Sequence, residues 1–479
     1  MPNIEMHDVP LTVETNLKQR VLRGVAAIAI RQGIGMGLSV INVLLVTRII
    51  GPTQYGIFAA SYGIVSVIAT AGTWGLDVYL LRKDAEPSSA EYNQAFTIFL
   101  ATGIFFVAVL VLFHRSIAVI VGIPALSLPL AIMSLFIPFN LINVPGVVQL
   151  DRGLQFNRVA RVELAGQAAG YLVAVPLALC HMGCWAPILG VLTGQFLALI
   201  LVYVFAPMRL WFHWERGLAR RMLAYGLSYS GAIMIWQLRL LVNPLVVGRF
   251  AGAQGVGFVA LAIRLVEVLA FVKQATWRVA MAALAKLDGD STRLRRSISE
   301  GMRLQAIAVG LPLTIFAGVG PILLPYIFGP RWNPAFKLFP FIALSYLISA
   351  TFNLHTSVLA LLRHNLEIMK FHVAHVFLFA SVAVLLVPRF GYIGYGWAEI
   401  GAFASYYLLH RYISERVNSP DYRSPLIWCL VCCMILVICG TVGKLGIVSL
   451  VLLPVPLLFA REREYLEVYV RILMRDSIA

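Results

Sequence analysis

The sequence predicts an all-α polytopic membrane protein of about fourteen transmembrane helices, and three observations lead there. Hydrophobic residues make up 60% of the 479-residue chain and charged residues only 13%, against roughly 45–50% and ~25% in soluble domains. The mean hydropathy is +0.84. The apolar residues come in continuous runs of about 20, the length that crosses a ~30 Å hydrocarbon core as a helix. Backbone groups in lipid must be paired internally, and runs without alternation leave the helix as the spanning element.

The runs fall at 25–47, 56–81, 95–113, 126–150, 162–181, 187–206, 223–248, 256–281, 303–324, 338–362, 369–387, 392–410, 426–443 and 445–460. The last pair is separated by a turn from Gly440 to Gly446 that holds Lys444. Residues 1–24 form an N-terminal tail, and the first apolar run, long enough to span, is expected to act as an uncleaved signal anchor. The chain divides further into a first lobe (25–206), a linker (207–222), a second lobe (223–410), two closing helices with their preceding loop (411–460), and a tail (461–479). The longest connection, 282–302, is well short of the ~50 residues a folded domain needs. Residues 461–476 alternate charge with apolar side chains and read either as an amphipathic helix on the membrane surface or as a solvated tail.

The basic residues support this set of spans. Of the 38 lysines and arginines, 26 fall in the tails and alternate connections of one side, 7 on the other side and 5 within spans. A wrong span count would scramble the alternation, so both termini are expected in the cytoplasm. The net charge of +16 is then a topology signal, and a nucleic-acid partner is rejected.

Residues 42–68 align without gaps to 243–269, offset by 201. The informative matches are Asn42 with Asn243, Arg48 with Arg249, Gly51 with Gly252 and Gly56 with Gly257, followed after a two-residue slip by Thr73-Trp74 with Thr276-Trp277. The offset carries spans 1–2 onto spans 7–8. An even shift makes the repeat parallel, about an axis along the membrane normal, a transporter design with the substrate site between halves.

A charge at the bilayer centre costs on the order of 2.5–3.5 kcal/mol, so such residues face a cavity or a partner. Three polar stripes lie on the repeated helices: Arg31, Gly35, Leu38 and Asn42; Ser228, Ala232, Trp236, Arg239 and Asn243; Arg264, Glu267, Phe271, Gln274 and Arg278. Arg239, near mid-membrane and without a partner on its own helix, is the leading ligand candidate, joined by Arg31, Arg264, Asn42 and Asn243. Arg264 and Glu267, at i and i+3, also read as a structural ion pair. Lys273 and Arg278 are expected to snorkel to the rim. Glu267 and Glu399 are candidates for a coupling proton. The excess of bases favours an anionic ligand. Cys180, Cys184, Cys429, Cys432 and Cys433 read as packing residues, so neither a metal site nor a cofactor is expected. No phosphate loop or HExxH motif is found, which argues against an ATP-driven pump.

The segment from Arg48 to Phe58, RIIGPTQYGIF, and the later Ile327, Phe328, Gly329, Pro330, Arg331 and Trp332, leading into Ala335 and Phe339, carry a family resemblance. They resemble bacterial polysaccharide-export flippases of the multidrug/oligosaccharidyl-lipid/polysaccharide exporter superfamily. That resemblance implies two six-helix lobes that rock around a cationic cavity, plus two C-terminal helices. It implies flipping of an undecaprenyl-diphosphate-linked sugar unit across the bacterial inner membrane for exopolysaccharide or O-antigen synthesis. Membrane lipids, a polysaccharide polymerase and a chain-length regulator would be the associated partners. Arg31, Arg239 and Arg264 are compatible with the cavity. Two rivals remain at this point: a drug or cation antiporter of the same superfamily, which needs acids to dominate the cavity, and a membrane polysaccharide polymerase or ligase, which needs a larger external loop.

Overall fold

The computed structural model describes residues 11–271, 273, 291–465 and 467. Among the described residues all regular structure is helical, and ten helices are long and apolar enough to cross a membrane. Three of those ten, Gly37–Ala71, Ser230–Leu269 and Arg423–Leu458, each hold parts of two apolar runs. The run 392–410 is divided between Ile393–Gly401 and Tyr406–Val417, with a short 3₁₀ turn between them. The first helix, α1 (Leu11–Ala71), begins inside the segment read as a tail, where Leu, Glu, Lys, Gln and Arg are all good helix formers. Gln274, Thr276, Trp277 and Arg278 lie outside the described residues.

The chain forms two compact units. One comprises Met1–Val46, Ala71–Val111 and Ala131–Ser228. It holds α2 (Leu76–Arg82), most of α3 (Ser89–Val121), α5 (Phe136–Arg152), α6 (Phe156–Leu179) and α7 (Trp185–Phe205), with α4 (Ser127–Met133) at its boundary. Helices α6 and α7 pack backbone to backbone: a Cβ at Gly166 would meet Gly194 O at 2.8 Å, and one at Gly190 would meet Gly170 O at 2.6 Å. Two small-xxx-small pairs thus face each other, the device by which membrane helices approach closely. Arg152 closes the end of α2, donating to the carbonyls of Leu80, Leu81, Lys83 and Ala85 at 2.8–3.1 Å.

The other unit comprises Thr47–Thr70, Leu112–Leu130 and Tyr229–Ala479. Its helices after α8 (Arg216–Gln237) are α9 (Gly248–Leu269), α10 (Ser291–Phe328), α11 (Asn333–Thr351), α12 (Asn353–Leu361), α13 (Asn365–Phe390), α14 (Ile393–Gly401), α15 (Tyr406–Val417) and α16 (Arg423–Val442). Here the paired residues of the repeat have matching geometry. Helix α1 breaks at Gly51 (φ 75°, ψ 173°) and α9 at Gly252 (φ 67°, ψ −174°), a region open essentially to glycine alone. Five residues on, a Cβ at Gly56 would collide with the carbonyl oxygen of Ala253, and one at Gly257 with that of Pro52. Since Pro52 and Ala253 are themselves 201 positions apart in the same alignment, the crossing is reciprocal.

The flanking arginines are also exchanged. Arg48 donates to the carbonyls of Tyr326 (3.1 Å) and Ile327 (2.8 Å), at the C-terminus of α10 just before Gly329 (φ 90°). Arg249 donates to Val119 O (3.3 Å), at the C-terminus of α3 just before Gly122 (φ 74°). A helix end presents unpaired carbonyls and a partial negative charge, which a guanidinium satisfies. Trp332, buried, donates to Thr47 O at 3.1 Å and meets the ring of Tyr55 edge-on at 5.8 Å. The two motifs that carry the family resemblance therefore form one interlock.

The visible part of the C-terminal tail is docked. Glu462 is buried, paired with Arg303 at 3.4 Å and accepting hydrogen bonds from Trp428 Nε1 (2.9 Å) and Ser424. Asp421 accepts from the Arg423 amide at 3.1 Å and faces Arg461; these contacts hold its carboxyl below the usual carboxylate range. Residues 461–465 are therefore helical and anchored at their first turn, and residues 468–476 lie outside the described set.

The crossing sets the cost of a side chain. Gly56→Val and Gly257→Val force backbones apart and lower the thermal midpoint of the detergent-extracted protein. The overpacking cost is at least about 1–3 kcal/mol. Gly63→Ala, where a Cβ meets no atom closer than 3.7 Å, leaves the midpoint close to wild type in the same fluorescence-detected size-exclusion series.

Candidate functional site

One group of polar residues in the second unit gathers around a buried arginine. Helix α8 gives way after Gln237 to a 3₁₀ turn, Leu238–Leu241, and then to a π turn, Asn243–Val247. The cause is in the sequence: Pro244 lacks the N–H that would continue the ladder, so the helix loosens around it. Arg239 lies on the 3₁₀ turn, its guanidinium 4.9 Å above the Trp236 ring and 5.9 Å from that of Tyr346. Its charge partner is Glu399 of α14, at 3.6 Å, with side chains only 11% and 1% exposed. Ser345 donates to the other Glu399 oxygen at 2.6 Å.

A second pair sits on α9. Arg264 lies 3.3 Å from Glu267, and both are about 40% exposed. The Tyr346 hydroxyl donates to Glu267 Oε1 at 3.3 Å, so Tyr346 lies against both the Arg239 and Glu267 groups. Lys273 completes the cluster: its Nζ donates to Ser349 at 2.7 Å and lies 5.4 Å from the Tyr346 ring. It is therefore held inward by α11, contrary to the expectation that it snorkels. Beneath Trp236 lie His372 and His375, with ring centroids 4.9 and 5.0 Å away. His375 Nδ1 is 2.9 Å from Ser405 Oγ, and His372 Nδ1 is 2.8 Å from Ala232 O.

The sequence candidates thus separate. Arg239 and Glu399, proposed for different roles, are partners, and Arg264 and Glu267 form the ion pair that their spacing offered. Asn243 is buried on the π turn and donates to Val256 O at 3.4 Å. Asn42 is on α1 in the other unit, its Oδ1 buried and unpartnered. The side chain of Arg31 lies outside the described residues. Sequence reading passed over Ser345, Tyr346, Ser349, His372 and His375. The usable signal was the i, i+4 pair Ser345 and Ser349 on an apolar helix, beside the Tyr346 hydroxyl.

Three cations and two carboxylates occupy this region: Arg239, Arg264 and Lys273 against Glu267 and Glu399. Each arginine already has its carboxylate, and among the described residues Lys273 is the basic group of the cluster that is held by a hydroxyl instead. Such a cluster can exchange a carboxylate partner for an anionic ligand, because a guanidinium fork binds carboxylate and phosphate alike.

A family model described as polysaccharide biosynthesis protein matches residues 45–337, covering both motif segments, Arg239, Arg264 and Lys273. The chain belongs to that family. It is similar to the succinoglycan biosynthesis transport protein ExoT of Rhizobium meliloti (strain 1021), 25% identical over 64% of this chain and 63% of that one. It is also similar to the lipopolysaccharide biosynthesis protein WzxC of Escherichia coli (strain K12), 24% identical over 79% and 77%. Among solved structures, lipid II flippase MurJ in an inward closed conformation superposes with a TM-score of 0.73 at 11% identity, over 96% of this chain and all of that one. An inward-facing multidrug resistance MATE family transporter of the MOP superfamily follows at 0.61 and 14%, over 82% and 98%. At these identities the structural likeness establishes the fold: this family member is a multi-pass helical membrane protein with the MurJ and MATE architecture.

The buried pair makes a specific demand. Arg239→Met or Glu399→Gln alone strands the opposite charge and costs about 3–5 kcal/mol of stability, whereas the double variant recovers most of it. Thermal midpoints of the four proteins of the cycle in one detergent measure this. Equal losses that simply add would remove the pair as a structural unit.

Proposed function

We propose that this chain is a transporter, not an enzyme, which flips an undecaprenyl-diphosphate-linked oligosaccharide unit across the bacterial inner membrane for polysaccharide synthesis. The observation that carries this reading is the gathering of the basic side chains Arg239, Arg264 and Lys273, inside an apolar fold belonging to the polysaccharide biosynthesis family. The names of the relatives point the same way, two being polysaccharide or lipopolysaccharide biosynthesis proteins and one a lipid II flippase. A diphosphate headgroup is the anion such a cluster suits, and a multidrug exporter of cations would need the opposite balance.

In this reading fourteen spans form two six-helix lobes, 25–206 and 223–410, joined by a linker at 207–222 and followed by two further helices within 411–460. The N-terminal residues 1–24 and the tail 461–479 lie in the cytoplasm. The lobes alternate access around a cationic cavity to which Arg31, Arg239, Arg264, Asn42 and Asn243 contribute. Glu399 or Glu267 takes up a coupling proton when its arginine turns to the diphosphate, so release of substrate restores the ion pair. A polysaccharide polymerase and a chain-length regulator receive the flipped unit.

The test follows lipid-linked repeat units in a deletion strain. Units accumulate on the cytoplasmic face, and the wild-type gene restores export. Arg239→Ala removes export, Arg239→Lys retains part of it, and Arg239→Ala/Glu399→Ala folds but does not export. Units that reach the outer face and remain unpolymerised would replace this reading with a polymerase. Export by the double variant would remove Arg239 from the substrate path.

A further inference from the structure

The segment between α7 and α8 carries a surface that neither the fold nor the transport reading uses. From 207 to 215 the chain is not helical, yet it is fixed along α3 by alternate backbone amides. Trp211 N–H donates to Asn93 Oδ1 (3.0 Å), His213 N–H to Thr97 Oγ1 (3.0 Å) and Glu215 N–H to Gln94 Oε1 (2.7 Å). Three neighbouring polar side chains on an otherwise strongly apolar helix thereby find their use. The segment is a strap laid on α3, with all its atoms in one compact unit.

Its position fixes what it meets. Thr97 lies eight residues beyond Ser89, the first residue of α3, a rise of roughly 12 Å. The strap therefore lies along the first turns of a 33-residue helix, at the level where the apolar run 95–113 begins. Three large rings are left uncovered: Trp211 is 75% exposed, Phe212 64% and Trp214 66%. Phe212 lies 6.2 Å from Phe96 of α3, and further along the same helix Ile104 and Phe105 are also exposed. Arg209, Arg216 and Arg220, which flank the rings in the sequence, are all exposed. Aromatic rings and arginines together suit the headgroup level of a bilayer, where the ring bodies lie in the acyl boundary and the cations meet lipid phosphates. The hydrogen bonds from three of its amides to Asn93, Gln94 and Thr97 lower the cost of carrying an extended backbone into that layer.

We propose that residues 207–221 form a binding strap for anionic phospholipid. The rings of Trp211, Phe212 and Trp214 anchor it at the interface, and Arg209, Arg216 and Arg220 hold the headgroup phosphates of the adjoining leaflet. The proposal is independent of what the protein transports.

The full-length chain is tested in nanodiscs of phosphatidylglycerol and phosphatidylcholine, with a nitroxide on Phe212→Cys in a Cys180→Ala background. Relaxation by oxygen is expected to exceed relaxation by a water-soluble nickel chelate, as for a site below the headgroups. Separately, the Arg209→Gln/Arg216→Gln/Arg220→Gln variant is expected to retain less phosphatidylglycerol by native mass spectrometry, on the order of five-fold for each arginine removed. A label open to the nickel chelate places the strap in water and overturns the proposal. A label shielded from both reagents means that protein covers it, which overturns the proposal equally. Unchanged phosphatidylglycerol retention in a variant that elutes as wild type removes the headgroup site.

Discussion

The close crossing of two backbones at Gly56 and Gly257 is the constraint from which the second unit is built. Each glycine lets a carbonyl from the other hairpin lie where a side chain would otherwise stand, and the kinks at Gly51 and Gly252 aim the hairpins at that point. Contact at this range lets the neighbouring interactions form: Arg48 and Arg249 reach the helix ends, and Trp332 wedges against Tyr55. In hydrocarbon there is no hydrophobic drive to bring helices together, so packing and polar contacts of this kind hold the bundle. The motif RIIGPTQYGIF is thus an architectural signature first. Its arginine and tyrosine serve packing, and the chemistry that distinguishes ligands lies elsewhere on the chain.

That chemistry is concentrated where the helix is least regular. Pro244 opens the ladder, a 3₁₀ turn and a π turn follow one another, and Arg239 sits on the loosened stretch. The position equivalent to Pro244 in the first half of the repeat is Val43, within the unbroken part of α1. Duplication supplied two copies of the same hairpin, and only one carries the proline and the buried arginine–carboxylate pair. The crossing has stayed symmetric while the polar cluster has not.

Much of this was legible in the sequence for a definite reason. Membrane helices must be long and apolar, and a 201-residue offset that preserves glycine and arginine marks positions where side-chain size and charge both matter. Arg48 with Arg249 and Gly56 with Gly257 were visible that way. The Arg264–Glu267 pair was visible because helical spacing alone brings the two together. The partnership of Arg239 with Glu399 was not, since it depends on how α14 packs, and nothing local to either residue announces it. Lys273 was misread because nearness to a helix end suggests snorkelling, whereas Ser349 of another helix holds its amine. Asn93, Gln94 and Thr97 passed unnoticed for a similar cause: their partners are amides of a non-helical segment more than a hundred positions away. The glycines of α6 and α7 could have been read, because both helices carry the small-xxx-small spacing.

The exchanged arginine caps also impose an order in time. Val119, at the end of α3, receives its guanidinium from a residue 130 positions later, and Ile327 from one 279 positions earlier. A ribosome adding about 5–20 residues per second leaves the first of these helix ends waiting roughly 6–26 s for its partner. During that interval the Val119 carbonyl has the Gly122 amide of its own turn, at 3.1 Å, but the negative end of the helix lacks the guanidinium charge that the second hairpin brings. Arg48 waits longer still, holding a free charge at the surface while the intervening helices insert. Neither half can finish its own helix ends. A chain terminated between the repeats would leave α3 without its guanidinium cap, which arrives only when the second half has been made.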